Sequence, residues 1–378
     1  MTKTKVYAVA TNIVSSLGMT AAANWQAIAN GKAGMQRYED ASLSNTPFVA
    51  SKPGPDQWQV IYERTRGNEA LTAFERLALY SAKEAISNYE GALNDADTAF
   101  ILSTTKGNIE LLGQTSDEKL LLSSSANAIA QALGSSTRPI VISHACVSGV
   151  IALNYGLRLI ESGRYKNVVV TGCDRFSKFV LSGFQSFQAI SDEPCRPFDA
   201  ARKGINLGEA AATIILSSNA AHEPAARLLS GATSNDANHI SGPSRTGEEL
   251  ALAINRVLNE AGIAADAVNM VSAHGTATMY NDEMEAKAFG LAGLLHSAVH
   301  SFKGYTGHTL GAAGVVESAM VVEAIRRQLL IPSAGYESNG VSQELNVTQK
   351  MSPATINYVL KTASGFGGCN AAVLWGRE

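Results

Sequence analysis

Short apolar runs alternate with helix-spaced segments along all 378 residues, with no low-complexity tract, long charge block or obvious linker between them. Runs of strand type lie at 6–10, 98–102, 140–143, 167–171, 211–216, 268–273, 356–360 and 371–375. Helical spacing fills 72–89, 124–133, 149–161, 248–261, 282–295 and 311–330. This alternation dictates an α/β chain whose sheets are covered on both faces. The length exceeds what one compact core usually holds, so two domains or one duplicated unit is expected. Each half holds a strand that ends in a functional-looking turn, at 142–146 and at 271–274. Two similar halves meeting at one site is the simplest account.

Composition excludes several function classes. Thirty basic and 33 acidic residues leave a net charge of −3, so nothing points to bulk attraction for nucleic acid or anionic membrane. No apolar run reaches the ~18 residues that span a bilayer. Four cysteines (Cys146, Cys173, Cys195, Cys369) form no CxxC pair and no disulfide scaffold. The opening MTKTKVYAVATNIVSSLG lacks the unbroken apolar centre of a signal peptide. A reduced cytoplasmic setting with free thiols is the expectation.

Within this frame SHACVSGV, residues 143–150, is the most informative stretch. Cys146 sits where a strand gives way to a helix. A thiol there lies near the positive end of a helix dipole, which favours a nucleophilic thiolate; the plain alternative is a small buried hydrophobe. Two of the seven histidines occupy Gly-bearing turns, His274 in SAHGTAT and His308 in KGYTGHTLGAAG. The others (His144, His222, His239, His296, His300) read mostly as surface or structural. Lys303 precedes His308 by five residues, and Glu317 on the following helix is a candidate ion-pair partner. Asp282 and Glu285 stand three apart on one helix face, as a solvated face, a capping cluster or, with His274, metal ligands. No HExxH or cysteine ligand pattern supports the metal option. Finally SGFGGCNA, residues 364–371, sets three glycines around Phe366. It reads as an ordinary turn or as a close backbone approach whose N–H groups serve an oxyanion. A thiol, two imidazoles, a lysine with a carboxylate and a glycine-rich loop form a kit for acyl transfer through a thioester.

In this order the motifs HACVSG, RPFDAARKGINLGEAA, AHGTAT, Asn281–Asp282 with Glu285, KGYTGHTLGAAG and GFGGCNA resemble a β-ketoacyl-acyl carrier protein synthase, a condensing enzyme of the thiolase superfamily. The likeness runs over nearly the whole chain. It implies a thiolase-like α/β fold, two similar βαβαβ halves layered α/β/α/β/α. Residues 1–220 would carry the nucleophile Cys146 and residues 221–378 both catalytic histidines. It implies decarboxylative Claisen condensation of a malonyl-carrier thioester with an acyl group held on Cys146. His274 and His308 would bind the malonyl thioester carbonyl, with Lys303, Glu317, Asp282 and Glu285 in support. Phe366 would gate the acyl chain and share an oxyanion hole with the Cys146 backbone. No cofactor or metal is implied. The implied partners are an acyl carrier protein, docked near Arg202 and Lys203, and a second copy or a homologous chain-length factor.

The chain departs from the family's pattern in places. Ala210 replaces the second glycine of GEGAG, Ser364 replaces the first Phe of FGFGG, and Asn281 stands where many members have glycine. The short segment before RPFD and the modest length are similar to condensing enzymes of specialised pathways, such as aryl polyene or flexirubin-type pigments. Two rival readings are a coenzyme A-dependent thiolase relative and a silent chain-length factor. A thiolase would use a second cysteine as base, whereas Cys369 reads as standing in for a small polar residue. A silent subunit would usually have lost the cysteine or a histidine.

Overall fold

The computed structural model describes residues 3–220, 226–238 and 242–378. Its main sheet has ten strands. In chain order they are β1 (Tyr7–Val14), β2 (Thr98–Ser103), β3 (Ile140–Ile142), β4 (Asn167–Asp174) and β5 (Ala210–Ser217), then β6 (Ala226–Asn235), β7 (Met270–Ser272), β8 (Ala298–His300), β9 (Tyr358–Gly365) and β10 (Cys369–Arg377). Across the sheet the order is β8-β7-β9-β10-β6-β1-β5-β4-β2-β3. The first five strands and the last five therefore repeat one order, offset by five. Their directions repeat too. β3, β2 and β4 are mutually parallel with β5 and β1 alternating antiparallel. β8, β7 and β9 are parallel with β10 and β6 alternating. The halves join edge to edge through one residue pair, Tyr7 opposite Arg227.

Helices cover both faces, as the continuous apolar strands require. Every residue of β4 and β5 is buried. Helix α1 (Ala73–Ser87), started by a Thr72–Glu75 capping box, covers the outer face of the first half. Helices α2 (Ser148–Glu161) and α6 (Ala313–Arg327) fill the layer between the halves. Helix α4 (Glu248–Ala261), with α5 (Met279–Leu291) beside it, covers the outer face of the second. This is the five-layer arrangement of the thiolase-like fold. The central helices touch backbone to backbone: a Cβ on Gly149 would stand 2.8 Å from Gly314 Cα, and one on Gly314 2.4 Å from the Val150 nitrogen. Glycine at both crossings is what permits this approach.

Three features differ from the sequence expectations. Strand β6, ARLLSGATSN, was not expected as a strand, because Ser, Gly and Thr interrupt its apolar run; pairing with β10 along its length makes it one. The run at 356–360 is only the start of β9, which continues to Gly365 and turns back into β10 through residues 366–368. The symmetry also pairs different turns. β3 corresponds to β8 and β2 to β7, so the end of the strand before Cys146 matches the one before Lys303, not the one before His274. The expected division after residue 220 falls at residues 221–225, outside those described, as do His222 and His239.

Candidate active site

The turn that carries Cys146 is built by the switch from strand to helix. β3 ends at Ile142 and α2 begins at Ser148. Between them Ala145 takes φ +46°, a left-handed conformation that a side chain adopts only under constraint. The Ser148 hydroxyl stitches the turn, accepting from the His144 N–H at 2.7 Å and donating to the Ala145 carbonyl at 2.6 Å. Cys146 is thereby presented to the space between the halves, 8% exposed.

The second half brings both histidines to this sulfur. His274 follows β7, and His308 follows the turn Lys303–Thr306 that succeeds β8. His308 Nε2 lies 2.8 Å from Cys146 Sγ. The two imidazoles meet edge to face, centroids 5.2 Å apart. One ligand-type atom from each of Cys146, His274 and His308 falls within 4.8 Å of the others. The peptide of His308 is held by the RPFD–GEAA segment: its N–H donates to the Asn206 carbonyl at 2.8 Å and its carbonyl accepts from Gly208 at 2.9 Å.

A buried charge cluster sets the state of the imidazoles. The Lys303 ammonium donates to His274 Nδ1 at 3.2 Å, to its carbonyl at 2.5 Å and to Glu317 at 2.9 Å. An ammonium has no lone pair to offer, so Nδ1 of His274 is the acceptor and Nε2 carries the proton. The pair of carboxylates on α5 supports the loop beneath. Glu285 accepts the N–H groups of His274 and Gly275 at 2.7 and 2.6 Å. Asp282 accepts those of Thr276, Ala277 and Phe198. Both are fully buried, and burial pushes the Asp282 carboxyl up to about 7. They are neither a solvated face nor free to ligate metal, since backbone donors occupy them.

Burial also governs the reacting groups. It pushes the Cys146 thiol up to about 12, against the pull of Lys303. It holds His274 and His308 well below 6.5, with Lys303 next in effect. The resting pair is a neutral thiol beside a neutral imidazole. Desolvation at this buried turn thus works against the thiolate that the start of α2 favours.

Residues 3–222 match the family model described as Beta-ketoacyl synthase, N-terminal domain, and residues 225–337 match Beta-ketoacyl synthase, C-terminal domain. The chain belongs to the β-ketoacyl synthase family. It is 28% identical, over 100% of both chains, to the 3-oxoacyl-(acyl-carrier-protein) synthase 2 of Vibrio cholerae. Over 63% of its length it is 34% identical to the tetracenomycin polyketide synthase ketoacyl synthase alpha subunit of Streptomyces glaucescens, covering 59% of that protein. Among solved structures, the ketosynthase ApeO in complex with its chain length factor ApeC, from Xenorhabdus doucetiae, matches with TM-score 0.86 at 25% identity over 99% and 98% of the two chains. The ishigamide ketosynthase/chain length factor shares the fold, with TM-score 0.87 at 21% identity over 99% of each chain.

The other residues singled out in the sequence fall around this synthase centre. Cys146, His274, His308, Phe366 and Lys203 line one cavity of about 460 Å³, with exposed Met279 and Tyr280 among its other lining residues. Phe366 is 37% exposed, its ring 5.5 Å from Phe184 and 5.2 Å from Phe187, both from the segment of α3 (Lys178–Ser186) and its end. A larger cleft, about 1610 Å³, opens in the first half between Tyr38, Trp58 and Arg175, and none of the three reacting side chains lines it. Arg202 does not present its charge to a partner: it is 6% exposed and donates to the carbonyls of Asp199 and Gly340. Lys203 is exposed and pairs with Glu193. Ala210, which departs from the GEGAG pattern, begins β5 opposite Asp174.

Two acid–base residues were absent from the sequence reading. Lys361, fully buried on β9, reaches the second oxygen of Glu317 at 2.6 Å and donates to the Ser272 and Ala273 carbonyls at 3.1 and 3.4 Å. Glu317 thus bridges two buried lysines, and Lys361 grips the peptides just before His274. Asp174 accepts Thr104 Oγ1 at 2.8 Å, the Thr105 N–H at 2.9 Å and the Gly311 N–H at 2.7 Å, tying the end of β2 to the turn before α6. Lys361 sits in VLKTA and Asp174 in GCDRF, stretches that carry no glycine-turn or histidine signal; a charged residue inside a strand-like run was the available clue.

Proposed function

We propose that the chain condenses a malonyl-carrier thioester with an acyl group held as a thioester on Cys146. The observation that carries this reading is the 2.8 Å contact between Cys146 Sγ and His308 Nε2, beside a second imidazole whose tautomer Lys303 fixes. In loading, His308 takes the thiol proton as sulfur attacks the acyl thioester. The tetrahedral oxyanion is received by the N–H groups of Cys146 and Phe366. It collapses with cleavage of the carrier C–S bond, and the carrier thiolate recovers the proton. Once exchange with solvent has moved the His308 proton from Nδ1 to Nε2, the malonyl thioester places its carbonyl oxygen before Nε2–H of His274 and Nε2–H of His308. The bond to the carboxylate breaks and CO2 leaves. The freed electron pair resides on the hydrogen-bonded enolate until it attacks the acyl carbon, expelling the Cys146 sulfur, which takes up one proton from solvent to restore the thiol. These steps balance without a cofactor.

The halves divide the labour at the junction expected after residue 220. The first supplies the thiol, and the second supplies both imidazoles and Lys303. Retention of all three reacting groups supports an active subunit over a silent chain-length factor. It also supports decarboxylative condensation over a thiolase reaction. The carrier docks at the cavity mouth beside Lys203 and the apolar Met279 and Tyr280. The exposed edge of β3 supports pairing with a second copy or a homologous chain-length factor. No helix among the described residues is long and apolar enough to cross a membrane, and a cytoplasmic setting goes with the soluble carrier substrates.

The test is intact-mass measurement after incubation with acyl-carrier thioesters. The wild-type chain gains one acyl group and Cys146→Ala gains none. An adduct that survives the substitution places the nucleophile elsewhere.

A further inference from the structure

Two side chains that the reaction above leaves unused meet beside it. Cys369, the first residue of β10, sets its Sγ 2.7 Å from Nε2 of His144 and 3.7 Å from the carbonyl oxygen of Phe366. His144 stands two residues before the nucleophile, and Cys369 closes the loop that carries Phe366. The thiol is 8% exposed, whereas the imidazole is exposed.

One assignment of protons satisfies both contacts. A thiol has a single proton and a weakly accepting sulfur. If neutral His144 donates Nε2–H to the sulfur, the S–H is free to donate to the Phe366 carbonyl. The reverse assignment leaves that carbonyl without the sulfur's proton. The series therefore runs from imidazole to thiol to gate peptide, each bond polarising the next.

We propose that His144 and Cys369 are positioning residues: a thiol–imidazole clasp that ties the turn bearing Cys146 to the loop bearing Phe366 and fixes the spacing of their backbone N–H groups. The clasp rests on the condensing-enzyme reading, in which those two groups receive the thioester oxyanion. The rest of the loop is built to be held at its backbone. A Cβ on Gly365 would stand 3.1 Å from the Cys146 nitrogen, so loop and turn are already in contact there. On the far side the Asp236 N–H donates to the Gly368 carbonyl at 2.7 Å, and a Cβ on Gly368 would meet the Asp236 carbonyl at 1.9 Å. Gly367 and Gly368 take φ +88° and +76°, which glycine alone adopts freely. The Phe366 ring, by contrast, rests on aromatic neighbours and stays partly exposed. The clasp thus holds the peptide while the ring remains able to swing.

The test compares two half-reactions on the same proteins: acyl loading of Cys146 by intact mass, and CO2 release from a malonyl-carrier thioester. C369A and H144A should each slow loading about tenfold, short of the hundredfold or more that follows outright loss of an oxyanion donor. CO2 release, which depends on His274 and His308, should stay within about twofold of wild type. The double variant should load no more slowly than the slower single one, since both remove the same link. C369S should restore loading, because a hydroxyl donates and accepts in the same two directions. Unchanged loading in both single variants overturns the clasp, as does a parallel fall in loading and CO2 release. If C369A does not fold, exposed H144A and the conservative C369S decide the matter alone. Failure of the wild-type chain to load at all overturns the condensing-enzyme reading and the clasp with it.

Discussion

At the residue scale, burial decides how the reacting groups behave. His274 and His308 are held well below 6.5, first by desolvation and then by Lys303. A depressed imidazole stays neutral as the pH falls through its ordinary value, so His308 remains able to accept the thiol proton there. Acyl loading should therefore be flat from about pH 7.5 to 6, where an ordinary histidine would be half-protonated near 6.5. Stopped-time loading assays check this, and a midpoint at 6.5 contradicts it. Lys361 offers a second test. Replacing it by Met removes one cation from Glu317 and leaves the Ser272 and Ala273 carbonyls without its hydrogen bonds. The expected cost is about 3 kcal/mol in denaturant unfolding. CO2 release should fall more than acyl loading, because the peptides it grips lead into His274. The sequence singled out the three side chains that meet at the site, since glycine-bearing turns and an isolated cysteine mark themselves. It did not show Lys361, Asp174 or the partner of His144. Those residues matter through contacts made across long stretches of chain, and beyond a charge set in a strand-like run at Lys361 and Asp174 nothing local marks them.

At the scale of elements, the site depends on the crossing of α2 and α6. Cys146 lies two residues before the first and Glu317 rides on the second, so their separation is set where Gly149 meets Gly314. Gly314→Ala should cost about 1–3 kcal/mol, because its new Cβ meets the Val150 backbone rather than a yielding side chain. The shift should be read as a lowered thermal midpoint, accompanied by slower loading of Cys146; an unchanged midpoint would show that the helices separate freely. Helices were legible wherever apolar residues kept the 3.6 period, as in α1, α2 and α4. Strands were legible where the apolar run was unbroken, as in β4 and β5. β6 and β8 were not, because one is interrupted by small polar residues and the other has only two apolar residues, Ala298 and Val299, between Ser297 and His300. Both become strands through their neighbours.

At the scale of the whole molecule, the sheet has two unequal ends. β8 is covered by its own chain: Val299 donates to the Asn346 carbonyl at 2.8 Å and Thr348 donates back to Val299 at 2.9 Å. β3, at the other end, has a single strand neighbour, β2, and its three residues are half-buried. A bare edge of this kind invites pairing with another chain. Sedimentation should report a dimer, and Val141→Pro, which removes an N–H from that edge, should weaken it. A monomer at micromolar concentration in the wild type would rule the pairing out. Docking of an acidic carrier is tested at Lys203, whose reversal to Glu should raise KM for carrier substrates and flatten its dependence on salt.

The repeated strand order carries one more consequence. Corresponding strand ends in the two halves deliver a thiol on one side and an ammonium on the other, so duplication supplied two equivalent sockets that were then furnished differently. A single half met alone would own a nucleophile with no base, or a base with nothing to activate. The chemistry begins only where the copies have ceased to be alike.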